Sequence, residues 1–281
     1  MMSFLAQITT WINAPVNAAG KFLSAPICGL PGWLSNTVIS AVTGLVLLII
    51  FKYTSNQKAI GRVRDNIKAD MLALKLFKDS ISVTLKSEGQ VFKGAFLLLF
   101  YAIQPMLVMI VPVSLLLVQM SLWYQSRPLR PDEETVVTLR LNSDIKEPWP
   151  NVNIGPTTAV DVTSGPVRVF SKNEICWKIR AIEDGYHHII FQVDEQQIDK
   201  EFAVGDGFMR LSAERPGQHW ADVLRYPMEK PFGPDSVVQS ISIEYPERLS
   251  RTSGSDWWLV YFFVASLVFA FLFKPFLKVR I

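Results

Sequence analysis

Residues 52–93 read KYTSNQKAIGRVRDNIKADMLALKLFKDSISVTLKSEGQVFK and lie between two apolar runs of membrane length. Within them Ile60, Val63, Ile67, Met71, Leu74, Phe77 and Ile81 recur at steps of three or four. That spacing predicts one continuous apolar stripe along a helix of roughly six or more turns. Nine Lys or Arg stand against four acids, a net charge of +5. A basic amphipathic segment held between such runs is expected to be a cytosolic helical arm lying near a bilayer.

Apolar residues make up 49% of the 281 and concentrate in three runs, residues 30–51, 94–123 and 257–273. Crossing a hydrocarbon core takes about 20 helical residues. The first two runs reach that length, and the third reaches it with its flanks. Between the second and third runs lies a polar stretch long enough to bury a core of its own. The expected organisation is an outer interfacial segment at 1–29, a first span at 30–51, the arm at 52–93 and a second span at 94–124. An extracytoplasmic domain at 127–250, a third span at 257–273 and a cytosolic tail at 274–281 follow. The expected fold class is therefore an α-helical membrane protein with three transmembrane helices and an outer all-β domain.

Charge sets the expected orientation. The arm carries +5, the tail (Lys274, Lys278, Arg280) +3, and residues 127–256 have 15 basic against 21 acidic residues. Short loops rich in Lys and Arg stay in the cytosol. The arm and C-terminus are then inside an inner (plasma) membrane, with the N-terminus and large domain outside. The first 20 residues hold no Lys or Arg, so a cleaved signal peptide is not expected.

In residues 3–27, Phe4, Leu5, Ile8, Trp11 and Ile12 fall on one helical face. Two readings are open: a helix with its apolar side in the outer leaflet, or one packed on the soluble domain. The second run is longer than a bilayer needs, and Pro105 and Pro112 predict a bend. Gln104 and Gln119 lie within it, four turns apart, and should face another span or a wet groove, because a bare amide in lipid is costly. Gly89 is expected to mark a turn. After the stiff linker 127–131, period-2 runs begin at 137, 159, 167, 175, 189, 202 and 241. Such runs predict a β-sandwich, with Trp177 on a central strand resembling immunoglobulin-like packing. A short helix is expected near 221–228.

No phosphate loop, CxxC or HExxH pattern is present. His187 and His188 are adjacent on a strand and so point to opposite faces; no metal site and no cofactor are expected. Cys28 and Cys176, both expected outside, are read either as a bridge or as free thiols, with a buried thiol the simpler reading for Cys176. The arm's charge suits anionic lipid rather than nucleic acid. An enzyme is not expected.

Two features are left to carry function. The arm is either docked on the headgroups or second span, or is a platform for a ribosome or a client's apolar segment. The amide-bearing span either makes an interhelical hydrogen bond, worth about 0.6 kcal/mol, or lines a half-wet cytosolic groove. The span ending at Lys52, the arm at 57–86 (especially Arg62-Val63-Arg64-Asp65-Asn66-Ile67-Lys68) and the proline-bearing second span together resemble the YidC/Oxa insertase superfamily in its reduced three-span form. The resemblance implies a factor that helps polar tails across a thinned bilayer and releases apolar helices into lipid. Its client- or partner-binding residues would be Ile60, Val63, Ile67, Met71, Leu74, Gln104 and Gln119, with Lys52 and Lys93 at the cytosolic rim. Two departures stand out: no basic residue lies inside any span, and the β-domain follows the second span instead of the first. The first favours an alternative, a non-catalytic subunit or sensor of a membrane complex whose β-domain binds an extracytoplasmic protein, whereas the overlong second span with its two amides favours the insertase reading.

Overall fold

The computed structural model describes residues 2–24, 30–77, 80–142, 148–248, 257–277 and 279. Its elements in chain order are helices α1 (Met2–Ser24), α2 (Gly32–Thr54), α3 (Gln57–Leu76) and α4 (Ile81–Tyr124), then strands β1 (Glu134–Leu141), β2 (Val152–Ile154), β3 (Val160–Val169), β4 (Glu174–Ala181), β5 (Gly185–Val193), β6 (Gln196–Val204) and β7 (Glu214–Arg215). Helix α5 (Trp220–Arg225), strand β8 (Val238–Ile243) and helix α6 (Trp258–Leu277) complete it. Helices α2, α4 and α6 are long and apolar enough to cross a membrane. The chain forms two compact units, Met1–Ser35 with Leu115–Leu259, and Asn36–Ser114 with Val260–Ile281.

The first unit is built on two sheets, ordered β3-β4-β1-β8-β7 and β2-β5-β6. Alternation makes them. Thr135, Val137, Leu139 and Leu141 of β1 are buried while the residues between them are not. Ile175, Trp177 and Ile179 of β4 and Ile189, Phe191 and Val193 of β5 repeat the pattern. These inward side chains share one core, and Trp177 of the first sheet meets Phe191 of the second edge-on, at 5.6 Å between ring centroids. The period-2 runs near 159 and 167 belong to one strand, β3. It lies at a sheet edge, and its register slips twice around Ser164. Strands β2 and β7 are too short to show a sequence period, and they were not expected.

One inward position on β6 is charged. The Lys200 ammonium is fully buried and bonds Glu229 Oε1 at 2.5 Å, the Ser212 carbonyl at 2.6 Å and the Glu201 carbonyl at 3.1 Å. Burial pulls the Lys200 pKa down, and the Glu229 carboxylate opposes that shift. Helix α1 lies on the same unit. Its Asn13 amide donates to the Val223 carbonyl of α5 at 2.7 Å. Phe4, Ile8, Trp11 and Ile12 remain exposed on its other face. The helix thus packs on the domain through polar atoms while its apolar stripe stays free.

In the second unit, α2 buries Asn36, Ser40, Thr43, Gly44 and Leu48 along one face. A Cβ at Gly44 would come within 2.5 Å of the Ser266 carbonyl oxygen of α6, and the Thr37 and Tyr261 hydroxyls share a 2.6 Å hydrogen bond. Small and hydroxylic residues let apolar helices approach this closely. The arm is not a single helix, as the stripe predicted. The Asn56 side chain caps α3 by accepting from the Ala59 N–H at 3.0 Å, and α3 closes at Phe77. The chain enters α4 at Ile81, and α4 runs through Gly89, Pro105 and Pro112 without ending. Gly89 is therefore helical, not a turn; nothing lies within 4 Å of where its Cβ would stand, so it costs only its intrinsic propensity. Val63 and Ile67 pack against Gly94, where a Cβ would meet Ile67 at 2.5 Å. Helix α3 and the start of α4 thus form a helical hairpin, closed where the second helix has no side chain.

The Lys200–Glu229 pair gives the first test. Glu229→Ala leaves a buried ammonium without its counter-charge, a loss of about 3–5 kcal/mol. The expected readout is a lower denaturant midpoint of tryptophan fluorescence in the full chain. An unchanged midpoint would show that the pair does not hold β6 to the 212–229 segment.

Candidate functional site

The hairpin divides the arm's stripe in two. Ile60 is buried at its base, and Val63, Ile67 and Leu74 are half-buried. Beyond them the apolar surface is open: Met71 is 59% exposed, Phe77 56% and Ile81 78%, with Leu72, Leu76 and Leu85 exposed beside them. Such a patch is uncommon on a surface with nothing to meet. Lys58, Arg62, Lys68, Lys75, Lys86 and Lys93 are exposed along the same two helices, and Lys52 is half-buried at the end of α2. Among the described residues no ion pair involves the arm; all nine pairs lie in the β-domain or its flanking segments. The basic residues are left to act on whatever lies outside the hairpin. Lys78 and Asp79, which the sequence also assigns to the arm, fall outside the described residues.

The two glutamines of α4 have different surroundings. Gln104 is exposed in the second unit. Next to it Pro105 has no N–H for the Tyr101 carbonyl, and Pro112 none for Val108. An amide side chain and two helix carbonyls lacking their usual donor thus roughen an otherwise apolar surface. Gln119 is 9% exposed in the first unit. Its amide donates to Asn17 Oδ1 at 2.9 Å, and its carbonyl accepts from Arg210 Nη2 at 2.8 Å. The same Arg210 nitrogen also bonds Asn17 Oδ1 at 2.8 Å. Gly20 of α1 lies so close that a Cβ would stand 2.6 Å from Gln119 Oε1. Gln119 thus ties α1 to the β-domain.

The remaining chemistry is sparse. His187 Nε2 lies 2.8 Å from the Glu183 carbonyl, and His188 Nδ1 lies 3.5 Å from Asp199. The two rings engage separate partners. Among the described residues no group of His, Cys, Asp or Glu is arranged to hold a metal. Cys176 is a free thiol, with its Sγ 3.6 Å from Thr138 Oγ1; Cys28 falls outside the described residues. Burial raises the Glu201 carboxyl above its ordinary range, helped by the neighbouring Glu229 charge. Burial likewise lowers the Arg210 guanidinium. No family model, curated protein or solved structure matches the chain.

The Asn17–Gln119–Arg210 cluster is not among the groups that the sequence pattern brings together. A signal was present: Asn13 and Asn17 stand four apart on the α1 face opposite Phe4, Ile8 and Trp11, a polar stripe suited to protein rather than lipid. The Arg210 partner comes from about 190 residues away, and no local pattern encodes it.

Asn17→Ala removes the acceptor shared by Gln119 and Arg210, at a local cost of about 1–3 kcal/mol. Amide exchange across α1 should accelerate about tenfold or more; equal protection in variant and parent would mean the cluster does not hold the helix. Gln104→Cys should be labelled by a water-soluble maleimide added on the arm's side. Full protection would show that lipid or a partner seals this face.

Proposed function

We propose that this chain is an insertase-like or chaperone-like membrane protein that assists the insertion or folding of other membrane proteins. Helices α2, α4 and α6 cross the inner (plasma) membrane, with the hairpin and the C-terminus in the cytosol. The N-terminus and the two-sheet domain, an immunoglobulin-like sandwich, lie outside. The observation that carries the reading is the open apolar end of the hairpin. Met71, Leu72, Leu76, Phe77, Ile81 and Leu85 present unsatisfied apolar area on helices that also carry exposed Lys and Arg, none of them in an ion pair among the described residues. Burying one such side chain in a partner is favourable by about 1.5–3 kcal/mol, and the cations draw the tip toward anionic headgroups. A client segment leaving a ribosome near the membrane would meet this surface first. The exposed Gln104 beside two prolines supplies the polar point on α4 at which a hydrophilic flank could begin to cross. No cofactor, nucleotide or nucleic acid has a role in this reading. The partners are lipid, nascent membrane proteins and the ribosome.

A second reading keeps the spans and replaces the client by a fixed partner. It is favoured by Gln119, whose hydrogen bonds are spent on Asn17 and Arg210, and by the lack of a basic residue inside any apolar run. The protein would then be a non-catalytic subunit or sensor whose β-domain engages an extracytoplasmic protein.

Photo-reactive residues at Met71 and Gln104 separate the two. The insertase reading expects adducts to many short-lived membrane proteins, lost when puromycin releases nascent chains. Adducts to one resident protein, indifferent to translation, would replace it with the subunit reading. Met71→Asp with Phe77→Asp alters only the open tip and spares the Ile67–Gly94 closure. It should lower client adducts at Gln104 about tenfold at unchanged membrane abundance, whereas undiminished adducts would remove the tip from the mechanism.

A further inference from the structure

Helix α1 is amphipathic in the reverse of the usual sense. A helix on a water-facing surface turns its apolar side to the core and its polar side outward. In α1 the polar side is turned inward. Asn13 is buried and donates to the Val223 carbonyl, the Asn17 amide donates to the Pro227 carbonyl, and Asn17 Oδ1 accepts from Gln119 and Arg210. The outward side carries Phe4, Ile8, Trp11 and Ile12, all exposed, with Trp11 at 82%. From Met2 to Ser24 the only charged residue is Lys21, in the last turn. A contiguous apolar face of this kind is unsuited to water.

What this face meets follows from α4, whose end belongs to the same unit. Gln119, which Asn17 and Gly20 of α1 touch, stands shortly before the end of α4 at Tyr124, about 7.5 Å along the helix axis. One headgroup layer is about 5–7 Å thick. Helix α1 is therefore level with the point at which α4, as a span, leaves the hydrocarbon. Trp33 in the first turn of α2 and Trp257 just before α6 are exposed in the same unit, and Trp at the ends of spans marks the headgroup level. Pro15 gives no N–H to the Trp11 carbonyl. That carbonyl would be costly in hydrocarbon, whereas water reaches it among headgroups.

We propose that α1 lies along the surface of the leaflet on the β-domain's side, with Phe4, Ile8, Trp11 and Ile12 dipping into the boundary between headgroups and acyl chains. Its inward face holds the β-domain, so the domain is fixed against the membrane by a helix seated in lipid. Lipid is the occupant because it already surrounds α4 at this level, and because a helix whose one charge is the Lys21 ammonium suits anionic headgroups. The inference rests on α4 being a span and is independent of insertase activity.

The test uses the full chain carrying Cys28→Ser and Cys176→Ser, with a fluorophore attached at Ile8→Cys, Val108→Cys or Lys172→Cys. Each labelled chain is reconstituted into vesicles of phosphatidylethanolamine and phosphatidylglycerol, with a nitroxide quencher placed on the lipid either near the headgroup or near the chain end. The shallow quencher should act on the Ile8→Cys label at least about threefold more strongly than on the exposed Lys172→Cys label, as insertion ~5–10 Å deep requires. It should also act there more strongly than the deep quencher, while the Val108→Cys label on α4 should prefer the deep one. If the Ile8→Cys chain fails to fold, Phe4→Cys, at a more exposed position, decides the matter by the same comparison. Quenching at Ile8→Cys no stronger than at Lys172→Cys, with Val108→Cys still quenched, overturns the inference and leaves the span standing. Strongest quenching of Ile8→Cys by the deep lipid would make α1 itself a span and overturns it too. A label there that is shielded from aqueous iodide yet unquenched by lipid would put a second copy of the chain on the stripe instead. An unquenched Val108→Cys label would remove the span on which the inference rests.

Discussion

A single acceptor oxygen, Asn17 Oδ1, organises the first unit. It receives one donor from Gln119, near the end of α4, and one from Arg210, in the loop after β6. Three segments distant in sequence therefore satisfy one another, and none of their polar atoms could be buried alone at tolerable cost. Around this point the backbone does the rest: Leu211 bonds Leu122, Arg127 bonds Pro246, and Arg248 bonds Gln125. The helix end, both flanks of the β-domain and α1 are thus joined by directional bonds, beside the ring contacts of Trp123 and Tyr124 with Phe208.

The hairpin of the second unit works by the opposite principle. Its closure is apolar, Val63 and Ile67 against Gly94, and the closure covers only the base. A seven-residue stripe that one helix would present as a single face becomes a buried part and an open part because α3 ends at Phe77 and a second helix, α4, begins at Ile81. That division bears on function, because an apolar side chain is structural at Ile67 and exposed at Met71.

Much of this was legible in the sequence. The three apolar helices follow from run length, and the strands of the two sheets from alternation at Val137–Leu141, Ile175–Ile179 and Ile189–Val193. The break inside the arm was not, because helical periodicity continues across Phe77 and Ile81 whether or not the helix does. Gly89 was misleading in the other direction: a glycine marks a turn only where the backbone needs its freedom, and here the helix passes through it. The partners of Gln119 and Lys200 were beyond reach. Each bond joins residues whose proximity depends on the whole domain, and a charged side chain at an inward strand position reads, locally, as an ordinary surface residue.

The edge of the five-stranded sheet has a consequence for crowding. Strand β3 has neighbours on one side only, and an open edge ordinarily offers a ladder of unpaired amides to any strand nearby. Here the register slips around Ser164, and Pro166 has no amide to offer. Held in a membrane, as proposed, the protein would meet its own copies far more often than in solution. An edge that cannot template a partner strand lets many copies stand side by side and remain separate molecules.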